Sequence, residues 1–257
     1  MDIKKLIDKG RNFLKAPWDT LGEEVFSVEK TDQDKGVKQP DLEKPIENES
    51  LLIDLVSPDE FDLEKIDYVE LLKKRRSRRA YKDVTMSLKE LSFLLWSTQG
   101  VEDVIRDGYA TLRTVPSAGA RHPFETYLYI RNVEDIERGI YRYSALNHKL
   151  IPVKKGDFDD EMFDATQEQR MTVTSAVTFI WAVVPYRTEW RYSFLSHKVI
   201  ALDAGHVCQN LYLSAEIINY GTCAIGAYAQ EKIDKILGLD GEEEFAIYVA
   251  PVGKIKS

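Results

Sequence analysis

SAVTFIWAVVP, residues 175–185, is apolar on both of the faces that a strand would present. Side chains alternate faces along a strand, so a run with no polar face reads as a central strand covered on both sides. Working outward, FETYLYIRN (124–132), GIYRYSA (139–145) and HKLIPVKK (148–155) alternate at period two, and the last two are separated by a turn at Asn147, which makes a hairpin. EFAIYVAPVG (244–253) adds a β-rich strand near the C-terminus. Helical spacing begins at Ile66 in IDYVELLKKRR, and a second helix is predicted from Ser87, with Glu90 as its capping-box partner, to a stop at Gly100. Residues 101–123 read as irregular, punctuated by Gly108, Pro116, Gly119 and Pro123. The longest helical pattern runs from Tyr192 to Tyr220, with Ala201, Ala204, Gly205, Cys208 and Ala215 as a stripe of small residues suited to close helix packing or a second subunit, and a short helix is expected near 229–237. Strands and helices interleave irregularly, so the expected class is α+β with a mixed, mostly antiparallel central sheet flanked by helices.

The 257 residues carry 43 Asp and Glu against 35 Lys and Arg, a formal net charge of −8. Residues 1–60 hold 15 acidic and 9 basic residues together with four of the nine prolines. Low apolar content, proline and mixed charge predict an extended acidic N-terminal arm over 1–60, with one globular domain over 61–257. Phe13, Leu14, Trp18 and Leu51 to Ile53 are the candidate anchors of that arm on the body. Two cysteines, Cys208 and Cys223, are too few for a disulfide framework or a four-thiolate zinc site. No apolar run approaches the ~18–20 residues of a membrane span, and MDIKKLIDKGRNFLKAPW (1–18) lacks the continuous apolar stretch of a secretory signal. A soluble, reduced, cytoplasmic protein is the expectation, with no membrane partner.

KKRRSRR (73–79) places six basic residues in seven at the end of a helix. It reads either as a solvated patch or as a phosphate site, since guanidinium groups bind phosphate bidentately and Ser77 adds a donor. The acidic total charge and the lack of a second basic cluster argue against nucleic acid. PSAGARHP (116–123) and GTCAIG (221–226) are small-residue segments that suit close backbone approach to a flat ligand, or plain structural turns. There is no G-x-G-x-x-G, P-loop, H-E-x-x-H or G-x-S-x-G pattern. His122, His148, His197 and His206 lack metal-ligand spacing, so no metal is expected.

Taken in order, R-R-S-x-R (Arg75, Arg76, Ser77, Arg79), P-S-A-G-x-x-H-P-x-E (Pro116 to Glu125), LDAGHVCQNLYL (202–213) and YGTCAIGAY (220–228) resemble the nitroreductase family, with the closest match to its SagB/ThcOx-type dehydrogenase branch. GRNFLKAPW (10–18) and DGEEEFAIYVAPVGK (240–254) look like stand-alone members of that branch. The resemblance implies a nitroreductase-like homodimer with long interface helices and two FMN molecules between the subunits. It implies that Arg75, Ser77 and Arg79, with Arg76 nearby, hold the FMN phosphate and ribityl chain, and that Lys254 is a further phosphate partner. The loop of Pro116, Ser117, Ala118, Gly119, Ala120 and Arg121 would reach the flavin of the other subunit, with Ala120 where family members often carry Asn. The loop of Cys223, Ala224, Ile225, Gly226 and Ala227 would lie along the isoalloxazine.

Azoline-oxidising members carry a Lys-Tyr pair in a W-K-Y-like context; here the stretch reads Trp190, Arg191, Tyr192. Arginine is a poor base but a good clamp for an anionic substrate or hydride donor, and Tyr192 can donate a proton or stack. An interface salt bridge is the plainer reading of Arg191. The activity implied is hydride transfer from NAD(P)H through flavin N5 to a small-molecule acceptor in a ping-pong course. The alternatives are a SagB-type dehydrogenase of a peptide or small molecule, and a non-catalytic flavin-fold scaffold.

Overall fold

A computed structural model describes residues 2–16, 18, 25 and 29–256. Helix α1 (Ile3–Lys15) comes first, then the two-residue strand β1 (Ile53–Asp54), helices α2 (Tyr68–Lys74) and α3 (Leu88–Gln99), and the strands β2 (Val101–Ile105) and β3 (Ala110–Arg113). Strands β4 (Phe124–Ile130), β5 (Gly139–Ser144) and β6 (Lys149–Lys155) precede α4 (Asp159–Ala165) and β7 (Val177–Val183). Helices α5 (Tyr186–Tyr192) and α6 (Ser196–Ile217), strand β8 (Tyr220–Thr222), α7 (Gln230–Leu237) and β9 (Phe245–Lys254) complete the described elements.

Seven strands form one sheet in the order β1-β6-β5-β4-β7-β9-β8, and every neighbouring pair in it is antiparallel. Strand β7 lies between β4 and β9, as its doubly apolar sequence requires. Its Phe179, Trp181 and Val183 enter one core with Leu91, Leu94, Val207 and Leu211, under α3 and α6. Ile180 and Ala182 point to the other face and join Met162, Ile233, Ile236 and Val249, under α4 and α7. A strand that packs two helical layers at once has no position left for a polar side chain, and only the buried Thr178 interrupts the run.

Local signals fix the helix ends. Ser87 and Glu90 form the expected reciprocal capping box at α3, which ends at Gly100. Asp67 caps α2 by accepting from the Val69 and Glu70 amides. Three segments differ from the sequence expectation. Residues 3–15, expected to belong to an extended arm, form helix α1. Residues 101–113, expected to be irregular, hold the β2–β3 hairpin; Glu102 and Asp103 lie exposed on it, and its turn, Arg106 to Gly108, is left-handed throughout. The long helix starts at Ser196, because Ser193 adopts φ 47° and ψ −135° and separates it from α5. Of the small-residue stripe on α6, Ala204, Cys208 and Ala215 are buried, whereas Ala201 and Gly205 face out.

Residues 29–54 run across the body as a strap. The Gln33 amide donates to Trp190 O at 2.9 Å. The Glu43 carboxylate accepts from the Ala145 amide at 2.8 Å, and β1 pairs with β6 as the outermost strand on that side of the sheet. The deepest tie is at Glu125 on β4. Its carboxylate accepts from Arg142 at 3.1 Å, from Arg187 and from the Lys44 amide at 2.8 Å, with the Glu125, Arg142 and Arg187 side chains all buried. A buried ion cluster tolerates loss of one member badly, because the remaining charges stay desolvated. Glu125→Gln, which keeps the shape and strands Arg142 and Arg187, should lower unfolding free energy in urea by about 3 kcal/mol. A loss below about 1 kcal/mol would show that the cluster is dispensable.

Candidate functional site

The basic run emerges at the C-terminal end of α2 and crosses to β8. Ser77 bridges Thr222, and the Arg78 amide donates to Thr222 O at 2.9 Å. This fixes the backbone beside α6, where the Tyr212 hydroxyl lies 3.1 Å from the Ser77 hydroxyl and accepts from the Ala224 amide at 2.9 Å. The Arg75 guanidinium stacks 5.5 Å from the Tyr212 ring centroid. Arg78 is spent on Glu216 at 3.6 Å. The Arg76 guanidinium folds back onto the Lys73 and Arg75 carbonyls, and Arg79 reaches the Ser77 carbonyl at 3.5 Å. Among the described residues, no carboxylate pairs with Arg75, Arg76 or Arg79. Lys254 ends β9 with its ammonium 4.5 Å from the Tyr220 ring centroid, bonded to Ile218 O and 3.8 Å from Glu90.

The Cys223–Ala227 loop continues from β8. Cys223 and Ile225 are buried, and Ile225 bridges Val249. Gly226 and Ala227 are exposed, and a Cβ built on Gly226 would meet nothing within 4 Å. A backbone surface with little side-chain bulk therefore lies beside the Ser77–Tyr212–Ala224 chain.

The Pro116–Arg121 loop lies elsewhere. Its anchor is Asp203 on α6, which accepts from the Ser117 hydroxyl at 2.6 Å and from the Ala118 amide at 3.1 Å. Ser117 Oγ in turn accepts from the His122 amide at 2.9 Å. Gly119, Ala120 and His122 all take positive φ (59°, 53° and 44°), so the loop turns tightly. Arg191 and Tyr192 pack against it: a Cβ on Gly119 would sit 2.5 Å from the Tyr192 hydroxyl and 2.9 Å from Arg191 Cδ. Glycine is required there for both reasons. Arg121 turns inward instead of toward the loop face. It is buried, donates to Tyr109 O at 2.8 Å, and stacks 4.7 Å from the Tyr109 ring and 5.5 Å from the Trp190 ring.

The site residues named from the sequence thus fall into two groups. Arg75, Arg76, Ser77, Arg79 and Cys223 to Ala227 cluster near Tyr212; Pro116 to Ala120 cluster with Arg191 and Tyr192 near Asp203. Asp203 and Tyr212 share α6 but stand nine residues apart, about 13 Å along the axis at ~1.5 Å per residue. Asp203, Tyr212 and Tyr109 are the organising residues that sequence reading passed over. Asp203 and Tyr212 lie inside LDAGHVCQNLYL, where a carboxylate on the buried side of a small-residue helix was the available signal.

The nitroreductase family profile matches residues 72–254, which span both groups. The chain belongs to the nitroreductase family. It is 33% identical over 193 residues to a protein named "putative nitroreductase" in Methanocaldococcus jannaschii, covering 75% of this chain and 93% of that one. It is 27% identical over 167 residues to the trifolitoxin-processing protein TfxB of Rhizobium leguminosarum bv. trifolii, covering 60% of this chain and 44% of that one. A crystal structure named as a "putative nitroreductase" from Anabaena variabilis superposes with a TM-score of 0.71 at 28% identity, over 89% of this chain and 43% of the Anabaena chain. The chain therefore spans less than half of the length of those last two proteins. The nitroreductase fold accounts for the central antiparallel sheet and the helices on its two faces.

In this nitroreductase-family chain the polar groups under the 116–121 loop are tuned by burial. Desolvation pushes the His122 imidazole down to about 3, and the Arg113 charge adds to it. Desolvation also raises the Asp203 carboxyl, against the Ser117 and Ala118 hydrogen bonds. Among the described residues no His, Cys, Asp and Glu grouping could hold a metal ion, and no helix is long and apolar enough to cross a membrane. The His122 shift has a definite sign: with a folded pKa below the unfolded value of ~6.5, the stability tied to neutral His122 is complete above that value and is lost as pH falls from it toward 3. Urea midpoints should therefore decline across this window, and His122→Asn, whose side chain tolerates the left-handed backbone, should flatten the decline. An identical pH slope in the variant would remove His122 as its source.

Proposed function

We propose that this chain is an FMN-dependent oxidoreductase that takes hydride from NAD(P)H and passes it to a small-molecule acceptor in two half-reactions. One observation carries the reading: two unpaired guanidinium groups and a hydroxyl, at Arg75, Arg79 and Ser77, stand beside the side-chain-free stretch at Gly226, a donor set suited to a phosphate and a flat ring. Arg75 and Arg79 would neutralise the phosphate and Ser77 would donate to it, with Lys254 as a further cation at the end of β9. Tyr212 would keep both Ser77 and the Ala224 amide in place. The backbone of Cys223 to Ala227 would lie along the ring, since its residues present little side-chain bulk. When bound, FMN supplies a reversible hydride acceptor and donor at N5.

A homodimer belongs to this proposal. The Pro116–Ala120 loop lies well along α6 from the Arg75 group in its own chain, so a second copy packed on α6 would bring its loop to the site. Ala201, Leu202 and Gly205 form an outward-facing strip of α6 that such a copy would cover. Arg191 and Tyr192 would then border the acceptor. Arginine stays protonated at any working pH, so a proton would come from the Tyr192 hydroxyl and orientation from Arg191.

A second reading has one specific support, the similarity to a trifolitoxin-processing protein. In that reading the flavin would oxidise a peptide and be reoxidised by oxygen. Arg191 in place of lysine weighs against a base-dependent azoline oxidation.

Two measurements test the proposal. Anaerobic NADH or NADPH should bleach the flavin absorbance of the holoprotein, and added acceptor should restore it; turnover driven by oxygen without a nicotinamide would favour the second reading, and no reduction by either nicotinamide would favour a non-catalytic scaffold. The Arg75→Ala, Arg79→Ala pair should weaken FMN retention at least tenfold, as expected for losing two charge-assisted contacts. Unchanged flavin content in that variant would overturn the phosphate assignment.

A further inference from the structure

Three guanidinium groups gather around one phenol. Arg191 donates through Nη1 to the Tyr109 hydroxyl at 2.8 Å, and Arg121 and Arg106 lie 4.7 and 5.9 Å from the centroid of the same ring. Among the described residues none of the three has a carboxylate within ion-pair distance. The chain is acidic overall, with 43 carboxylate side chains, so leaving three arginines together without one is a feature of this place and not of the composition. Burial pushes the Arg121 guanidinium below its ordinary range, and the neighbouring Arg191 charge pushes the same way. Unpaired like charges held close cost free energy unless an anion joins them.

The arrangement is built rather than accidental. Tyr109 is fixed from the other side by Gln33, whose side-chain amide donates to the Tyr109 hydroxyl at 2.7 Å. Gln33 is held by its own amide bond to Trp190 O, and Trp190 Nε1 donates to Val37 O at 2.9 Å. The Arg191 guanidinium lies 5.4 Å from the Tyr192 ring centroid, beside Gly119. Of the three arginines, Arg121 is buried, Arg106 lies on the outer turn of the hairpin, and Arg191 is half-exposed at the loop that borders the proposed acceptor position. Arg191 is therefore the one placed to meet a substrate.

We propose that Arg191 is the anchor for a carboxylate carried by the acceptor substrate, with Tyr109 and Gln33 as the positioning residues that aim it. This deepens the oxidoreductase reading and rests on it. A carboxylate presents two oxygens to the planar guanidinium fork, and the Tyr109 bond to Nη1 leaves the other nitrogens to receive it. The same fork would also suit the 2′-phosphate of NADPH, so the donor has to be separated from the acceptor by experiment.

The probes are 4-nitrobenzoate and its neutral counterpart 4-nitrobenzyl alcohol, used with the FMN-loaded protein. The wild type should show a lower KM for the anion, and Arg191→Gln should raise that KM about tenfold more than it raises the KM for the alcohol, as expected for one charge-assisted contact. Tyr109→Phe and Gln33→Leu should reduce the same preference part-way, and Arg191→Lys should restore part of it. Calorimetric binding of 4-nitrobenzoate to the protein without nicotinamide should weaken in Arg191→Gln in parallel, a result that does not depend on turnover. Equal KM changes for the two probes, no preference in the wild type, or an effect of Arg191→Gln seen only with NADPH relative to NADH would each overturn the assignment. Failure of the flavin to load or to be reduced would instead overturn the oxidoreductase reading, while the calorimetric arm would still decide the carboxylate site.

Discussion

The Glu125 carboxylate sits almost without solvent between two arginines and a backbone amide, and three separate parts of the chain meet there. Arg142 comes from β5, Arg187 from α5, and Lys44 from the N-terminal strap. Burial alone would push the carboxyl up, but the Arg187 and Arg142 charges more than offset that and hold it below the usual carboxylate range. It therefore stays ionised at neutral pH and keeps its grip on both guanidinium groups. Arg142 passes the tie onward by donating to the Lys44 and Pro45 carbonyls, and Arg187 does so by donating to Asp41 O. This carboxylate, near the start of β4, joins both the strap and α5 to the sheet, so the position of Arg191 and Tyr192, one turn further along α5, depends on it.

Helix α6 divides the remaining work. Near its start Asp203 holds the Ser117 hydroxyl and the Ala118 amide; toward its end Tyr212 joins Ser77 to Ala224, and Glu216 takes the Arg76 amide and the Arg78 guanidinium. Both anchor groups stand on a rigid element whose inner face is pinned to α3 by Leu211, Val207 and Ala204. A helix fixes the distance between its two ends, so the spacing of the two loop clusters is rigid within each chain. In the proposed dimer that rigidity becomes useful, because the separation along one helix would set where the loop of a second copy arrives.

Much of this was legible in the residues because it was local. The doubly apolar run at 175–185, the period-two strands and the Ser87–Glu90 box all act through neighbours in sequence, and the structure places β7, β4 to β6 and α3 accordingly. The β2–β3 hairpin was not legible, since its exposed faces carry no apolar alternation and its left-handed turn is made by Arg106 and Asp107 as well as Gly108. Ser193 was equally silent: nothing in a serine announces a positive φ, so the long helix was expected from Tyr192, four residues before its start at Ser196. At the candidate site, composition pointed to the basic run and the two small-residue loops. Their organisers, Asp203, Tyr212 and Tyr109, act across 86, 135 and 82 residues of sequence on Ser117, Ser77 and Arg191. Pairings of that range leave no periodic trace.

The strap shows the same limit from the other direction. Its proline and mixed charge suggest chain with little to bury, yet Thr31 is buried, Gln33 and Val37 receive polar groups from α5 and the hairpin, and Gln39 donates to Gly108 O at 2.6 Å. These are backbone and amide contacts, invisible to a hydrophobicity pattern, and ordering the strap to make them costs conformational entropy. What offsets that cost is the set of groups it bonds: the Trp190 indole N–H, the Trp190 carbonyl and the Tyr109 hydroxyl, which also accepts from Arg191, all find partners on it. All three flank Arg191. A polar segment that also completes hydrogen bonds around one arginine makes the orientation of that arginine depend on the strap, and joins the N-terminal region to the loop face.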